Sequence, residues 1–212
     1  MEIYNTEEQQ VEAIKRFFRE HGLSMVAGIV IGLGGLYGFR FYQAKQLEAQ
    51  QAQSAAYAVL VDKAAAEGAD KKAWLVDAQK FIADHKDSNY SHLTALMAAK
   101  EAVVLKDYAA AELQLSAVAA ASKVPEVVAV AQLRLARVQA EQAKYKEALA
   151  TLAATMPAAF AAQQNELKGD VLLKSGDETA ALSAYKAAQA VTEVGKNPLL
   201  DVKLNELAHV AG

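Results

Sequence analysis

Residues 167–188 have the sequence LKGDVLLKSGDETAALSAYKAA, in which a small residue, Gly169, is followed twelve positions later by another, Ala181. The Ser-Gly-Asp stretch at 175–177 is typical of a turn, because Gly ends one helix well and Asp caps the start of the next. The segment therefore predicts a helical hairpin whose two helices approach closely where the small residues face each other.

The same pair of small residues occurs twice more, at Ala99 with Ala111 and at Ala136 with Ala148. The first members of the three pairs are 37 and 33 residues apart, which brackets the tetratricopeptide period of about 34 residues. A larger residue follows one turn after each second small residue: Leu115, Leu152 and Tyr185. We predict a tetratricopeptide-like solenoid; a generic α-solenoid is the alternative, because most of the aromatic positions of the repeat are missing.

Further elements extend this repeat in both directions. We expect turns within the repeats at 106–108 and 143–145, and the three prolines, Pro125, Pro157 and Pro198, fall between repeats, where helices begin or end. Upstream, a helix is predicted from Asp70 to His85, and the polar stretch 43–67 should form a helical stalk that ends at Gly68. Downstream, we expect a terminal helix from Pro198 to His209 to cap the stack.

The composition supports an all-α protein and excludes some functions. The 212 residues include 22 Lys+Arg and 25 Asp+Glu, a net charge of -3, so there is no basic field for binding nucleic acid. Cysteine is absent, which excludes disulfides, thiolate metal sites and a cysteine nucleophile.

Eighteen residues without a formal charge, 22–39, lie upstream of the stalk. At about 1.5 Å per residue the run is slightly shorter than a hydrocarbon core of about 30 Å, and Phe41 and Tyr42 can lie at the interface. A cleaved signal peptide fits the sequence less well, because bulky Phe39, Phe41 and Tyr42 stand where small residues should precede the cleavage site. A buried helix of a soluble protein is the main alternative to a membrane span. We predict a single transmembrane signal anchor over 22–42, between an N-terminal segment, 1–21, and an outer domain with stalk, 43–212.

Charges flanking the span favour a cytoplasmic N-terminus. Lys15, Arg16 and Arg19 precede the uncharged run 22–39, and Arg40 and Lys45 follow it; positive residues tend to stay in the cytoplasm. The large domain would then be periplasmic in a bacterium.

Two local features near the membrane have open interpretations. Gly28 with Gly32, and Gly34 with Gly38, have the small-xxx-small spacing that lets another membrane helix approach, although Gly is also simply common in such helices. In residues 1–21, Thr6 with Gln9 has capping-box spacing before an apolar face, which predicts a short amphipathic helix along the membrane. That helix could orient the span or contact a cytoplasmic regulator.

No motif of catalysis or metal binding is present in the sequence. The four histidines are scattered without a recognisable ligand spacing, and although His85 and His92 could meet near a turn, we expect both to be solvated. We therefore predict a non-enzymatic protein with no cofactor and no small-molecule substrate.

A binding surface is the function that the repeats favour. The first helix of each pair lines a concave groove in tetratricopeptide stacks, and Arg134 and Arg137 would there be available for carboxylates. Leu93, Leu96 and Val103 could instead be covered by the preceding hairpin. The register predicts the following groove residues: Leu93, Leu96, Met97, Lys100, Val103, Val104, Arg134, Arg137, Gln163, Glu166 and Asp170.

The opening string Met-Glu-Ile-Tyr, the segment VEAIKRFF at 11–18, the Gly-rich span and the helix LRLARVQ at 133–139 resemble the YfgM family of bacterial inner-membrane proteins. The resemblance covers essentially the whole chain. It implies an ancillary subunit of the SecYEG translocon that works beside the periplasmic chaperone PpiD on newly translocated envelope proteins. It also implies a cytoplasmic N-terminus that restrains the response regulator RcsB, which is the alternative function.

Overall fold

The computed structural model describes residues 7–68, 70–86, 88–192 and 197–208, and within them the chain forms helices and no strand. This confirms the predicted all-α fold. A short 3-10 helix, Ala158–Phe160, precedes the seventh α-helix. The α-helices are α1 (Glu7–Ala65), α2 (Lys71–Asp84), α3 (Asn89–Val104), α4 (Tyr108–Ala121), α5 (Pro125–Glu141), α6 (Tyr145–Leu152), α7 (Ala161–Lys174), α8 (Glu178–Ala190) and α9 (Pro198–Glu206).

The first compact unit covers residues 1–54 and consists, where described, of α1. Its uncharged run lies in the middle of a continuous helix, and residues 23–42 are all exposed to the surroundings of the protein. Within the described residues, α1 is the helix long and apolar enough to cross a membrane. The predicted amphipathic segment differs from expectation: residues 7–21 continue into the span without a break, and Thr6 lies outside the described residues.

The second compact unit covers residues 55–212 and contains the repeats. Its boundary falls inside the predicted stalk, because Tyr57 and Leu60 are already packed within the domain. The Tyr57 ring lies 5.2 Å from that of Tyr90, and Leu60 is buried. The last turns of α1 thus belong to the folded domain.

Helical hairpins are stacked in this second unit. The pairs α3/α4, α5/α6 and α7/α8 are antiparallel neighbours, and α5 also contacts α3 and α7, so the first helices of the pairs line one side. The small residues of the predicted register are all buried at these contacts, and so are the three larger residues that follow them. The packing confirms the tetratricopeptide-like register.

The three turns within the hairpins share one backbone geometry. Lys106, Ala143 and Gly176 occupy the same position of the turn with φ of 60°, 58° and 90°. In each turn the following N–H donates back to a carbonyl of the preceding helix, as from Asp107 to Ala102 at 2.8 Å. Because the left-handed position recurs, the three hairpins turn in the same way. Of its three residues, Gly176 is the one that adopts this backbone without strain.

Two sequence expectations need correction. His92 is not solvated: it lies on α3, is buried, and neither ring nitrogen has a hydrogen-bond partner in the described part of the chain. The terminal helix is shorter than predicted, since α9 ends at Glu206 and Leu207 follows as its C-cap. His209 lies outside the described residues.

A carboxylate joins one repeat to the turn of the next. Glu112 on α4 accepts hydrogen bonds from Lys144 at 2.8 Å and from the Gln142 amide at 2.9 Å. The Lys144 hydrogen bond lowers the pKa of Glu112 below its ordinary value of 4.5, and the Gln142 hydrogen bond adds to the effect. The ionised carboxylate is therefore stabilised by folding.

Replacing Glu112 with Gln should lower the free energy of unfolding by about 1 kcal/mol at pH 7. Because the folded pKa is depressed, this contribution is present above pH 4.5 and is lost as the pH falls through the folded value. Urea unfolding of the wild type and of Glu112→Gln at a series of pH values measures the difference. A difference that stays constant down to the lowest pH would contradict the role of the charge.

Candidate protein-binding groove

The side of the repeat stack formed by the first helices of the pairs carries a cavity of about 370 Å³ between α3 and α5, here called the α3/α5 cavity. Its floor is apolar, and cationic side chains stand at its edge. Val103 and Val104 from α3 are 37% and 53% exposed there, although both are large apolar residues. The cavity is lined by Ala99, Lys100, Val103, Val104, Tyr108, Leu115, Arg134, Arg137, Val138 and Glu141.

A second cavity of about 510 Å³ lies on the same side, between α5, α7 and α9, and is here called the α5/α7 cavity. Arg137 and Glu141 line both cavities, so the two form one groove along the first helices of the hairpins. The α5/α7 cavity contains more charged groups, including Asp170, Lys174 and Lys203.

The structure brings five of the predicted groove residues to the α3/α5 cavity: Lys100, Val103, Val104, Arg134 and Arg137. Arg134 donates from Nη1 to the Leu96 carbonyl at 3.5 Å, while Arg137 makes no ion pair or hydrogen bond within the described residues. Gln163 is exposed on α7 but lines neither cavity.

The start of α3 does not form the expected groove floor. Leu96 is buried in the core, and Met97 is half-buried, with its Sδ accepting from the Tyr57 hydroxyl at 3.9 Å. Leu93 is 36% exposed. The open apolar surface is provided by two other predicted groove residues, Val103 and Val104, at the far end of α3.

The register predicts that Glu166 and Asp170 are open to a partner, but side chains of α9 and of its N-cap bind both carboxylates. Lys203 lies 2.8 Å from Glu166 and 2.7 Å from Asp170, and Asn197 donates to Glu166 at 2.9 Å. Tyr185 from α8 also donates to Asp170, at 2.8 Å. The carboxylates of this part of the groove are therefore used to hold the end of the stack.

Burial and charge act together in this cluster. Burial raises the pKa of the Tyr185 hydroxyl, and the hydrogen bond to Asp170 raises it further. Burial lowers the pKa of the Lys203 ammonium, but hydrogen bonds to Asp170 and Glu166 outweigh that effect, so the pKa is raised overall. Lys203 thus remains charged and bridges two helices at neutral pH.

Several groove residues were missed from the sequence. Tyr108 and Glu141 lie at helix ends next to turns, where the repeat register does not specify which side they face. Lys203 lines the groove because α9 lies beside α7. It could be predicted as a groove residue only if α9 were treated as the first helix of a further repeat. No group of three or more His, Asp or Glu that could hold a metal occurs in the described part of the chain.

The four glycines with small-xxx-small spacing lie on the surface of the span. Gly28, Gly32, Gly34 and Gly38 are exposed on α1, and no atom of the described chain other than their own helix lies within 4 Å of where a Cβ would stand. This surface is open for contact with another molecule.

The fold and groove define a tetratricopeptide-like scaffold with a membrane-type N-terminal helix. Residues 15–209 match the tetratricopeptide repeat-like domain family. The chain is 34% identical to an "Ancillary SecYEG translocon subunit" of Escherichia coli strain K12 over 98% of this chain and 100% of that protein. It is 28% identical to the protein of that name in Haemophilus influenzae over 95% and 97% of the two chains. No solved structure matches this chain.

The chain therefore belongs to the YfgM family, whose curated members are named ancillary SecYEG translocon subunits.

Proposed function

We propose that the protein is a non-enzymatic ancillary subunit of the Sec translocon in the bacterial inner membrane. Its single span would lie beside the translocon, with the N-terminus in the cytoplasm and the groove in the periplasm. There the domain would hold a PpiD-like chaperone and assist newly translocated envelope proteins. The observation that carries this proposal is the end-to-end similarity to proteins named for that role.

Three structural features support the proposal. Residues 23–42 expose an apolar surface along a continuous helix, which suits burial in a bilayer. The open face at Gly28 and Gly32, and at Gly34 and Gly38, suits close packing against a membrane helix of another protein. The groove of the second unit offers a separate surface for a soluble partner.

A cytoplasmic regulatory role is the second candidate, and one observation favours it. The first turns of α1 carry exposed apolar side chains at Val11, Ile14, Phe17 and Phe18. Such a face could bind a response regulator such as RcsB if residues 1–21 lie in the cytoplasm. This role would survive deletion of the repeats, whereas the translocon role would not.

Site-specific photocrosslinking in cells tests the proposal with a matched pair of span positions. At 100° per residue Ile31 lies on the same helix face as the glycines and Leu33 on the opposite one, and both are exposed, by 74% and 62%. A probe at Ile31 should capture membrane subunits of the translocon, and the same probe at Leu33 should capture much less. A third probe at Lys100 should capture a periplasmic chaperone.

The captured proteins also decide between the two candidates. Capture of periplasmic proteins from Lys100 supports the proposed orientation. Capture of cytoplasmic proteins from Lys100, or equal capture from Ile31 and Leu33, would contradict the orientation or the glycine interface respectively. Capture of a response regulator from Phe17, with no translocon subunit from the span, would favour the regulatory role.

A further inference from the structure

The floor of the α3/α5 cavity is suited to an apolar side chain. Val103 and Val104 remain substantially exposed in the folded domain, while Leu115 and Val138 below them are buried. Covering such a surface with a partner removes apolar area from water, which favours binding. The cavity volume of about 370 Å³ is within the range of about 300–1,000 Å³ typical of ligand sites.

The edge of the α3/α5 cavity has an excess of positive charge. Its lining includes three cations, Lys100, Arg134 and Arg137, and one carboxylate, Glu141. The Glu141 carboxylate is already paired with Lys174 on α7. The lining therefore contains no further carboxylate to balance its three cations. Lys100 lies 3.7 Å from Glu101, whose other oxygen is 2.9 Å from Lys71.

Arg134 and Arg137 are placed to act together. A separation of three residues puts both on one face of α5, and both are exposed. The hydrogen bond from Arg134 to the Leu96 carbonyl holds its guanidinium toward α3. Arg137 makes no ion pair or hydrogen bond in the described part of the chain, so its donors are available for a carboxylate, which guanidinium groups bind in bidentate fashion.

We propose that the α3/α5 cavity binds a short segment of a partner protein in which an apolar side chain stands beside Asp or Glu. The apolar side chain enters between Val103, Val104 and Val138, and the carboxylate pairs with Arg134 and Arg137. The complementary charge is the reason for an acidic rather than a basic or neutral segment. That the partner is a protein rests on the proposed function. The cavity adds which chemical groups of that protein are selected.

Peptide binding to the purified full chain in neutral detergent micelles tests this assignment. The probes are three fluorescein-labelled nine-residue peptides that alternate Leu with Glu, Leu with Lys, and Ser with Glu, and empty micelles correct for partition. The Leu/Glu peptide should bind best, because it alone supplies both the apolar side chains and the carboxylates. Its binding should weaken as salt is raised.

The double variant Arg134→Glu with Arg137→Glu should bind the Leu/Glu peptide at least tenfold more weakly and should gain affinity for the Leu/Lys peptide. The matched control is Lys146→Glu with Lys168→Glu, which changes the net charge equally at residues that line neither cavity. It should bind within twofold of the wild type. Circular dichroism verifies folding, and Arg134→Gln with Arg137→Gln replaces the charge reversal if that variant unfolds.

Three outcomes would overturn the assignment. The first is that the wild type fails to bind the Leu/Glu peptide, and the second is that both double variants bind it equally. The third is binding of phosphatidylglycerol vesicles, lost on Arg134→Glu with Arg137→Glu, in the absence of peptide binding, which would assign the site to lipid headgroups. Crosslinking from Ile31 to the translocon does not depend on this cavity, so failure here leaves that test of the proposed function unaffected.

Discussion

Replacement of Trp74 by Ala should lower the free energy of unfolding of the repeat domain by about 3–5 kcal/mol. The indole is 4% exposed and packs on Ala78 and Ala98. Its Nε1–H donates to the Leu60 carbonyl at 2.8 Å, which joins α2 to the end of α1. The substitution removes a large apolar side chain and the hydrogen bond that this side chain donates to α1.

Two further variants separate packing from hydrogen bonding. Trp74→Phe keeps most of the apolar contact but loses the N–H, so we expect a loss of about 1–2 kcal/mol. Val76→Ala, on the same helix but 69% exposed, should change stability by less than about 0.5 kcal/mol. Urea unfolding must be followed by circular dichroism, because Trp74 is the single tryptophan of the chain. A loss for Trp74→Ala no larger than for Val76→Ala would refute the central position of this side chain.

The Trp74 hydrogen bond makes the end of the stalk part of the repeat domain. The last turns of α1 fold with the repeats through Leu60, and Lys63 adds an ion pair to Asp77 at 2.7 Å. The same helix contains the apolar span.

Much of the fold was predictable because its rules are local or periodic. The small residues recur at intervals that place them where helices touch, and the Ser-Gly-Asp turn at 175–177 contains both a helix stop and an N-cap. The turns at Lys106 and Ala143 were predictable from their positions in the repeat. Their left-handed backbone was not predictable, because neither residue favours it.

The groove was less predictable because exposure depends on neighbours that are distant in sequence. Glu166 and Asp170 have the register of open groove residues, but α9 brings Lys203 onto both. Leu96 likewise lies in the core, while Val103 and Val104 stay exposed. His92 was expected in water because it lies near a turn, yet it belongs to the buried side of α3. Each case depends on tertiary packing, which periodicity does not specify.

Gly169→Ala is expected to destabilise the last hairpin by about 1–3 kcal/mol. A Cβ at this position would overlap Cε1 and Cδ1 of the Tyr185 ring, at separations shorter than any van der Waals contact. The ring is fully buried and its hydroxyl is held by Asp170, so it has little freedom to move. Thermal unfolding of the full chain, monitored by circular dichroism, measures the loss.

The other two hairpins provide the compensating change. In them the equivalent pairs are Ala99 with Leu115 and Ala136 with Leu152, so Ala is accommodated where the opposing residue is Leu. Adding Tyr185→Leu to Gly169→Ala should therefore recover part of the stability, although the hydrogen bond to Asp170 is lost. Tyr185→Leu should be more destabilising in the wild type than in the Gly169→Ala variant, because Leu opposite Gly169 leaves a cavity that the added methyl group fills. Additive effects of the two substitutions would show that Gly169 and Tyr185 are not coupled by size, and that the small-residue register does not set the distance between the helices.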